Sequence, residues 1–575
     1  MHRIFPFILW LPQLRRREVW RRDLIAGVTV AAVIIPQSMA YARLAGLPAV
    51  YGLYAAFIPP VIAALWGSSR HLATGPVAMA SLISAATVGA LAAADSDAYI
   101  TYSVLLALMV GVIRLLMGVL RLGDLVNFLS APVVIGFANA AAIVIATSQL
   151  SNVLGVRAES GQYHYQTVAN VIVAAIAGIH APTVGMAALA AAILIGLRRR
   201  YGKILLSVAV TTVCAWGLGF DGEVVGEIPR GLPSIRLPRI DFDIVPQLFM
   251  GAMVLTLIGL MEAMSIAKTI ATKSKQHIDV NQELIGQGMA NLVGSLFQSY
   301  AVSGSFSRSA INYDAGGATG FSSAICSLVV MVTLLFLTPL LYYLPQATLA
   351  VIIILAVLGL IRVKPLLTAW RVSWADGATA MVTFALTLAF APQLHIGILI
   401  GVSLSIGQYL FRTMRPHVAY LARHPDGPLV DADAHGLALD QRIAIIRFDG
   451  RLYFGASSFF EDKVLEAVAR LPDLRYIIID AGGINRIDAT GEQTLRRVVE
   501  DLRSIDVEVY FTRAKQQFLE VIERSGAIEY IGRDHFFDWN QHALEHLWDQ
   551  MEPAYRARCP LNVPRPQSEV GSYVI

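Results

Sequence analysis

Two short polar segments interrupt the long apolar stretches of this sequence. The first reads TGPVAMAS (residues 74–81) and contains no charged residue; the second reads SGSFSRS (residues 303–309), with Arg308 as its only charge. Glycine loosens the chain, and proline is favourable in the first turn of a helix, where its missing N–H is not needed. Each segment is therefore predicted to begin a half-helix inside an apolar region, with Pro76 in the first turn of the first one.

Two such helix starts suit the binding of an anion. A helix N terminus presents unpaired N–H groups and about half a positive charge. Two of them aimed at one point, with nearby serine hydroxyls and the guanidinium of Arg308, favour a negative ligand. Paired interrupted segments in the two halves of a chain are typical of the midplane site of secondary transporters. Two alternatives stay open: small residues also allow close helix packing, and Arg308 also fits a structural ion pair with a carboxylate.

Glu262 is the only charged residue in 244–267. An isolated carboxylate in an apolar segment is unfavourable in its charged form and is by default a functional candidate. We predict that it takes up and releases a proton during transport, with a sodium ligand and a permanently hydrogen-bonded structural Glu as alternatives. The first apolar stretch is broken at Pro36, where Gln37 offers an amide donor and Tyr41 an aromatic wall; a simple proline kink is the alternative.

The composition indicates that a membrane surrounds these segments. Of 575 residues, 15% are charged and 56% are hydrophobic, whereas soluble domains contain about 25% charged residues. The net charge of +4 is too small to indicate a nucleic-acid partner. Because a helical crossing of the bilayer needs about 20 residues, we count about 14 crossings in 24–411 when the pieces on both sides of Pro182 are joined. Basic clusters flank the apolar stretches, so residues 1–23 and the C-terminal region are predicted to be cytoplasmic, on an inner or plasma membrane.

After residue 411 the pattern becomes that of a soluble α/β domain. Residues 412–439 are interpreted as a polar linker, 440–555 as the domain, and 556–575, which contain three prolines, as a disordered tail. Strands are expected at Ile443–Phe448, Arg451–Phe454, Tyr476–Ile479 and Val507–Thr512, and helices at Phe459–Arg470 and Thr490–Ser504.

The interrupted segments lie in motifs that resemble those of the sulfate permease (SulP) family of anion transporters. The motifs are PQSMAYARLAGLPAVYGLYAAFIPP (36–60), GSSRHLATGPVAMAS (67–81), IGLMEAMSIAK (258–268) and NQELIGQGMANLVGSLFQSYAVSGSFSRSAIN (281–312), in family order. The resemblance implies an α-helical polytopic fold with two inverted repeats of about seven segments each, divided into a core and a gate domain. It also implies a homodimer, and an elevator movement in which the core carries the anion past the gate.

The resemblance assigns roles to individual residues. Glu262 occupies the acidic position that the family associates with cation coupling, where some relatives have Asp and use sodium; Glu favours a proton. The implied anion pocket consists of Gln37, Tyr41, Val77, Ala78, Ser305, Phe306, Ser307 and Arg308.

The C-terminal domain resembles the cytoplasmic sulfate transporter and anti-sigma-factor-antagonist (STAS) type, with IIIDAGGINRIDATGEQTL (477–495) as its fingerprint. Asp488 is predicted to cap the helix that follows. Thr490 stands where bacterial antagonist proteins have a phosphorylated serine, so it is a candidate for regulation, with an ordinary strand-to-helix turn as the alternative. Dimer support and binding of a cytoplasmic protein partner are the expected roles of the domain.

The sequence indicates a transporter and not an enzyme. The segment HALEH (542–546) fits the H-x-x-E-H pattern of zinc peptidases, but it lies in the small C-terminal domain with no recognisable acidic ligand after it. We therefore expect no enzymatic activity, no cofactor and no metal. The predicted function is proton-coupled secondary active transport of a small anion: sulfate, bicarbonate, chloride or a dicarboxylate. An uncoupled anion channel or exchanger, and a membrane sensor that signals through the C-terminal domain, are the alternatives.

Overall fold

The computed structural model describes residues 5–124, 130–159, 161–197 and 203–561. The chain divides into two compact units, Met1–Ile406 and Gly407–Ile575. Helices make up most of the first unit, and a single sheet with helices organises the second.

Within the described residues, the first unit contains 17 α-helices and two short strands, and the last of these helices extends into the second unit. The helices are α1 (Arg17–Leu44), α2 (Ala49–Trp66), α3 (Ala78–Val88), α4 (Asp97–Val119), α5 (Ala131–Ser148), α6 (Leu150–Leu154), α7 (His164–Ala177), α8 (Ala181–Gly196), α9 (Lys203–Gly217), α10 (Val245–Ser274), α11 (Val280–Leu296), α12 (Phe306–Asp314), α13 (Phe321–Val332), α14 (Gln346–Leu358), α15 (Val363–Val372), α16 (Trp374–Ala389) and α17 (Leu394–Met414); the strands are β1 (Ala73–Gly75) and β2 (Ser303–Ser305).

The long apolar helices make this a multi-pass helical membrane protein, as predicted. By length and composition, eight helices in the described ranges can cross a bilayer, or nine when α7 and α8 are taken as one span. The helices α7 and α8 meet at 115°, so the stretch joined across Pro182 is not one straight crossing. The count of about 14 stays a prediction, because a half-helix such as α3, with 11 residues, is too short for a test of length.

The two interrupted segments form strands that pair with each other. Strands β1 and β2 run antiparallel, with Ala73 opposite Ser305 and Gly75 opposite Ser303. Each strand leads into a helix, β1 into α3 and β2 into α12. Because the strands are antiparallel, the two helices leave the ladder at opposite ends and in opposite directions. The N termini of both half-helices therefore lie close to this one ladder, and their head-to-head arrangement around an anion stays a prediction.

Pro76 does not lie in the first turn of a helix, contrary to the prediction. The N-cap residue of α3 is Val77, and Pro76 precedes it. The reason is the ladder, since the chain stays extended through Gly75 to pair with β2.

Side chains satisfy the backbone groups that this short ladder leaves unpaired. The Ala73 N–H donates to Ser309 Oγ at 2.8 Å. The Asn291 side chain bonds both backbone groups of Val302, the residue before β2, as a neighbouring strand would. Its Oδ1 accepts from the Val302 N–H at 2.8 Å, and its Nδ2 donates to the Val302 carbonyl at 3.1 Å. Irregular backbone inside an apolar protein is stable only where its polar groups find such partners.

Helix α1 begins before the predicted boundary at residue 24. It starts at Arg17, and Asp23 is fully buried. The Asp23 carboxylate accepts the backbone N–H groups of Ala318 and Thr319 at 2.7 and 3.1 Å. The last residues of the expected N-terminal segment 1–23 thus belong to the packed helical unit.

The second unit is an α/β domain built on a six-stranded sheet of order β4-β3-β5-β6-β7-β8. Strand β3 is antiparallel to β4 and β5, and the pairs from β5 to β8 are parallel. Two apolar clusters cover the two faces of the sheet. The elements are β3 (His417–Arg423), β4 (Leu429–Asp431), α18 (Ala432–His435), β5 (Ile443–Asp449), α19 (Ser457–Arg470), β6 (Tyr476–Asp480), α20 (Ala489–Arg503), β7 (Glu508–Thr512), α21 (Gln516–Arg524), α22 (Ala527–Ile531), β8 (Phe536–Phe537), α23 (Asn540–Gln550) and α24 (Pro553–Arg556).

Three expectations about this unit need correction. Residues 412–439 are not a linker throughout, because β3 lies inside the sheet, where cross-strand pairing outweighs the polar composition of its surroundings. Residues 451–454 form no strand; only an isolated bridge joins Leu452 to Ile487, since the chain turns there into α19. The expected tail 556–575 starts as packed chain, with Cys559 and Leu561 buried, and residues 562–575 lie outside the described residues.

Cys559 is expected to resist thiol reagents in the folded protein. Burial and the neighbouring Asp440 carboxylate raise the pKa of the Cys559 thiol to about 11. At pH 8 the thiolate is then rare, and we expect alkylation about two orders of magnitude slower than for an exposed cysteine. Mass spectrometry of the labelled peptide, before and after unfolding in detergent, measures this. Labelling at the rate of an exposed thiol would mean that the segment after α24 does not pack as described.

Candidate functional site

Helix α1 packs against both half-helices, α3 and α12. Gln37 and Tyr41 lie on this helix, and the Tyr41 hydroxyl is within electrostatic range of Arg308 and Glu262. Gln37 and Tyr41 are buried, at 4% and 5% exposure, and Gln37 Oε1 has no hydrogen-bond partner among the described residues. Helices from three distant parts of the sequence thus pack together, and the place of Gln37 in the anion pocket stays a prediction.

The N termini of α3 and α12 lack side-chain caps. Val77 is the N-cap residue of α3, and Ala78 is its first helical residue; both are buried. Ser305, also buried, is the N-cap residue of α12, yet its hydroxyl lies 3.4 Å from Ser307 Oγ and makes no cap bond. Within the described chain, the first N–H groups of both helices therefore have no side-chain acceptor, and they can bind an anion.

Arg308 places a buried positive charge at the site. Its side chain is fully buried, and none of its three guanidinium nitrogens has a hydrogen-bond partner among the residues described. The side chain reaches across the ladder to β1, where a Cβ added to Gly75 would lie 3.3 Å from Arg308 Nη2. The structural ion pair that the sequence left open is therefore not formed with any carboxylate of the described residues, and a buried guanidinium without such a partner is costly.

The first turn of α12 is accessible on one side only. Phe306 is 50% exposed and Ser307 is exposed, whereas Ser305 and Arg308, their neighbours in sequence, are buried. A small solute can therefore approach this helix N terminus along the Phe306 and Ser307 side, with Arg308 on the inner side.

Glu262 lies on α10, within electrostatic range of this arginine. Its Oε2 is buried and has no hydrogen-bond partner in the part of the chain that is described. The charged groups that act on it are Arg308 and Arg114. The reading of Glu262 as a permanently hydrogen-bonded structural residue therefore fails for this oxygen, which is available to a proton.

Comparison with known proteins fits this arrangement. The model of the sulfate permease family matches residues 20–383, more than half of the chain. The chain belongs to the sulfate permease family. A model of the STAS domain matches residues 437–543, in agreement with the sequence prediction for the second unit.

Individual relatives of this sulfate permease cover nearly its whole length. It is 34% identical to "Sulfate transporter 4.1, chloroplastic" of Arabidopsis thaliana over 558 residues, which is 93% of this chain and 81% of that protein. Its fold is similar to that of SLC26A9, with a TM-score of 0.87 at 24% identity over 97% and 94% of the two chains. The murine Slc26a9 anion transporter in the inward-facing state matches with a TM-score of 0.85 at 25% identity over 94% of each chain.

Two buried residues near the site were not predicted from the sequence. Arg114 is 1% exposed and bonds the carbonyl of Val302, the residue before β2. The sequence does mark this residue as unusual, because Arg114 is the only charged residue between Asp97 and Arg121.

Tyr300 is the second missed residue. It is fully buried, its hydroxyl lies 3.1 Å from Ser81 Oγ on α3, and it is within electrostatic range of Arg308. No pattern in the sequence distinguishes it from an ordinary aromatic core residue.

Three polar side chains of α11 form hydrogen bonds to the chain in and around the ladder. Glu283, Gln287 and Asn291 follow one another at intervals of four residues and are all buried. Glu283 accepts the N–H groups of Ser68 and Ser69, both at 2.9 Å, and Gln287 Nε2 donates to Thr74 Oγ1 at 2.7 Å. The four-residue spacing of polar side chains in an apolar helix was the available signal.

The STAS unit contains two candidate sites from the sequence, Thr490 at the start of α20 and the HALEH segment in α23. Asp488 caps α20, as predicted, by accepting the Gly491 N–H at 2.8 Å, and Thr490 is exposed in the first turn. In HALEH, Glu545 bonds Gln541 and the His546 ring packs against Phe537, so both side chains already have protein contacts.

Proposed function

We propose that this sulfate permease is a secondary active transporter that carries small anions of the sulfate class together with protons. The observation that carries the proposal is the pair of uncapped half-helix N termini at one ladder, next to a buried guanidinium that has no hydrogen-bond partner among the described residues. The names of the relatives, a sulfate transporter and an anion transporter, support the same chemistry. The site offers backbone N–H groups, hydroxyls and one delocalised cation, which bind an anion weakly enough to release it.

The proton is proposed to bind at Glu262. Loss of the carboxylate charge on protonation increases the net positive charge around the ladder, which strengthens binding of the anion. By linkage, a bound anion favours protonation of Glu262 to the same extent, so the two solutes move together. Sodium is the alternative coupling ion, because a cation bound at this carboxylate has the same effect on the local charge.

The packing of the helices supports an elevator movement. Helices α1 to α4 and α10 to α13 pack mainly on each other, and α5, α8 and α14 to α16 form a second group. The ladder, both half-helices and Glu262 all belong to the first group. Movement of that group against the second carries the whole anion site without dismantling it.

Uptake into proteoliposomes tests the proposal. Purified full-length protein is reconstituted in sodium-free buffer, with the membrane potential clamped, and labelled sulfate is supplied with and without an inward proton gradient. We expect accumulation above equilibrium only with the gradient. Flux without accumulation indicates a channel, flux that requires an internal anion indicates an exchanger, and no flux at all favours a membrane sensor. Unlabelled sulfate, bicarbonate, chloride and C4-dicarboxylates as competitors then identify the anion.

A bulky residue at position 307 is expected to block the site. Ser307 is exposed at the accessible side of the first turn of α12, so Ser307→Trp fills the approach to the helix N terminus without displacing buried chain. We expect sulfate uptake to fall by more than about tenfold, equivalent to about 1.4 kcal/mol. The matched control is Ser403→Trp, at an exposed serine of α17. Normal uptake by the Ser307 variant would place the anion elsewhere.

Orientation and assembly complete the proposal. The protein is proposed to lie in an inner or plasma membrane as a homodimer, with both termini cytoplasmic; five arginines in residues 15–22 support this orientation. Protease should remove the STAS unit in inside-out vesicles and not in right-side-out vesicles.

Thr490 is proposed as a regulatory position whose modification is recognised by partner proteins of the STAS unit. Uptake by the variants Thr490→Glu and Thr490→Val tests this.

A further inference from the structure

Arg114 places a second buried cation next to the ladder. Its Nη1 donates to the carbonyl of Val302 at 3.0 Å, and its Nη2 donates to the carbonyl of Leu255 on α10 at 2.9 Å. Its Nε is buried without a hydrogen-bond partner in the described chain. The guanidinium thus links α4, α10 and the residue that precedes β2.

The chain leaves a specific space for this guanidinium. A Cβ added to Gly259 would lie 2.2 Å from Arg114 Nη2 and 3.0 Å from Ser303 Oγ, so no side chain fits at this position while the arginine is in place. Leu255, Gly259 and Glu262 are spaced by four and three residues and lie on one face of α10. Arg114 therefore runs along the face that presents Glu262, one turn away.

The charge of Arg114 is not neutralised by an ion pair. Over the described ranges, no carboxylate lies within 4.0 Å of its nitrogens, and its two hydrogen-bond acceptors are neutral carbonyls. The charged groups that face Glu262 are Arg114 from α4 and Arg308 from α12, with the Tyr41 hydroxyl from α1 as a titratable neighbour. Two arginines and one glutamate give the cluster a charge of +1 with Glu262 ionised and +2 with Glu262 protonated.

We propose that Arg114 is a specificity-determining residue of the anion site: held behind β2 by two backbone carbonyls, it supplies a fixed charge that makes the site prefer divalent over monovalent anions. The inference rests on the proposed anion site and adds to it the charge class of the substrate. The proposal gives Arg114 no direct contact with the anion: its Nη1 and Nη2 each donate to a backbone carbonyl, and these two bonds fix the guanidinium behind β2. It acts through its field across the thin ladder, where little water is present to screen it.

The preference follows from the scaling of the Coulomb energy. The attraction between a fixed charge and an ion is proportional to the charge of the ion, so a divalent anion gains twice the free energy of a monovalent one. A field that improves the affinity for chloride about tenfold improves the affinity for sulfate about a hundredfold. Loss of the charge should therefore change the ratio of the two affinities, whereas a purely structural loss should weaken both alike.

Anion-induced thermal stabilisation of the full-length protein in nanodiscs tests the inference. The protein is titrated with potassium sulfate and with potassium chloride, and the half-saturating concentrations are compared. For Arg114→Gln we expect the sulfate value to rise about a hundredfold and the chloride value about tenfold, and for Arg114→Lys neither value should change more than about threefold. Arg371→Gln, which makes the same change at an exposed arginine of α15, is the control.

A double variant separates charge from structure. This comparison is made at alkaline pH, where Glu262 is ionised. Arg114→Gln then leaves the cluster at zero, and adding Glu262→Gln restores +1. We expect the double variant to regain most of the sulfate affinity, although the bonds to Leu255 and Val302 remain lost. If Arg114→Gln alone does not fold, Glu262→Gln with and without it gives the same comparison at +2 and +1, and the sulfate-to-chloride ratio should differ about tenfold.

The outcomes are distinct. An unchanged sulfate-to-chloride ratio on loss of Arg114, in either background, overturns the inference while leaving the anion site in place. A double variant no better than Arg114→Gln assigns the residue a structural role and also overturns it. If the wild-type protein is stabilised by neither anion, the proposed function itself fails.

Discussion

Replacing Glu262 with Gln is expected to abolish proton-driven accumulation while sulfate binding persists. The amide has the shape of the protonated acid but carries no exchangeable charge, so it fixes the cluster in its anion-binding state. A gradient of one pH unit stores about 1.4 kcal/mol per proton, which supports at most about a tenfold accumulation for one proton per anion. We expect that ratio for the wild-type protein and a ratio of about one for the variant.

The measurement is labelled sulfate uptake into clamped, sodium-free proteoliposomes, together with sulfate binding in detergent. Glu227→Gln, at an exposed glutamate far from the ladder in sequence, is the matched control and should accumulate normally. Persistent pH-driven accumulation by the Glu262 variant would show that the proton binds elsewhere. Accumulation by the wild type that follows a sodium gradient and ignores pH would replace the proton by sodium and leave the role of the carboxylate intact.

The site was predictable from sequence where its chemistry is unusual for its surroundings. A lone carboxylate such as Glu262, or a lone cation such as Arg308, is conspicuous in an apolar stretch. Burial of a charge is unfavourable, so a charged residue at such a position is a functional candidate. The interruptions that precede the half-helices α3 and α12 were equally visible, since Gly, Pro and Ser break the helical pattern, although α3 starts two residues after Pro76. Arg114 obeys the same rule and was overlooked only because no break in the helix accompanies it.

The parts that could not be predicted depend on contacts between distant residues. No sequence pattern near Thr74 indicates that this residue pairs with Gly304. That pairing keeps the chain extended, so that Pro76 lies before helix α3 and not in it. The N–H and carbonyl of Val302 are satisfied by Asn291, and that match becomes visible only in three dimensions. The sequence predicts a linker at β3 because polar residues flank a short apolar run, whereas pairing with β5 makes this segment a strand.

The structure also changes how the buried arginines are understood. In a stable core, a guanidinium with three unpartnered nitrogens would be removed by selection, because it lowers the free energy of unfolding. Arg308 has that environment, whereas Arg114 is held by two carbonyls. One cation is therefore fixed and the other is available to a ligand. That division is what a site needs if it must attract anions continuously and bind one directly.

Replacing Arg308 with Gln is accordingly expected to have opposite effects on binding and on stability. Sulfate affinity should fall by about 3 kcal/mol, roughly a hundredfold, because the anion loses its direct cation. The anion-free protein should become no less stable and its unfolding temperature should stay or rise, since an uncompensated buried charge is removed. An arginine paired with a hidden carboxylate would behave differently, because breaking such a pair destabilises a protein by about 3–5 kcal/mol.

Two thermal unfolding curves for each protein, with and without sulfate, make both measurements. Arg371→Gln, at an exposed arginine, is the control for the chemical change and should match the wild type in both. Arg308→Lys keeps the charge but loses the planar guanidinium, so its affinity should lie between those of the wild type and the Gln variant. A large drop in the unfolding temperature without sulfate would show that Arg308 holds the fold together, and the opposed helix N termini would then have to bind the anion without it.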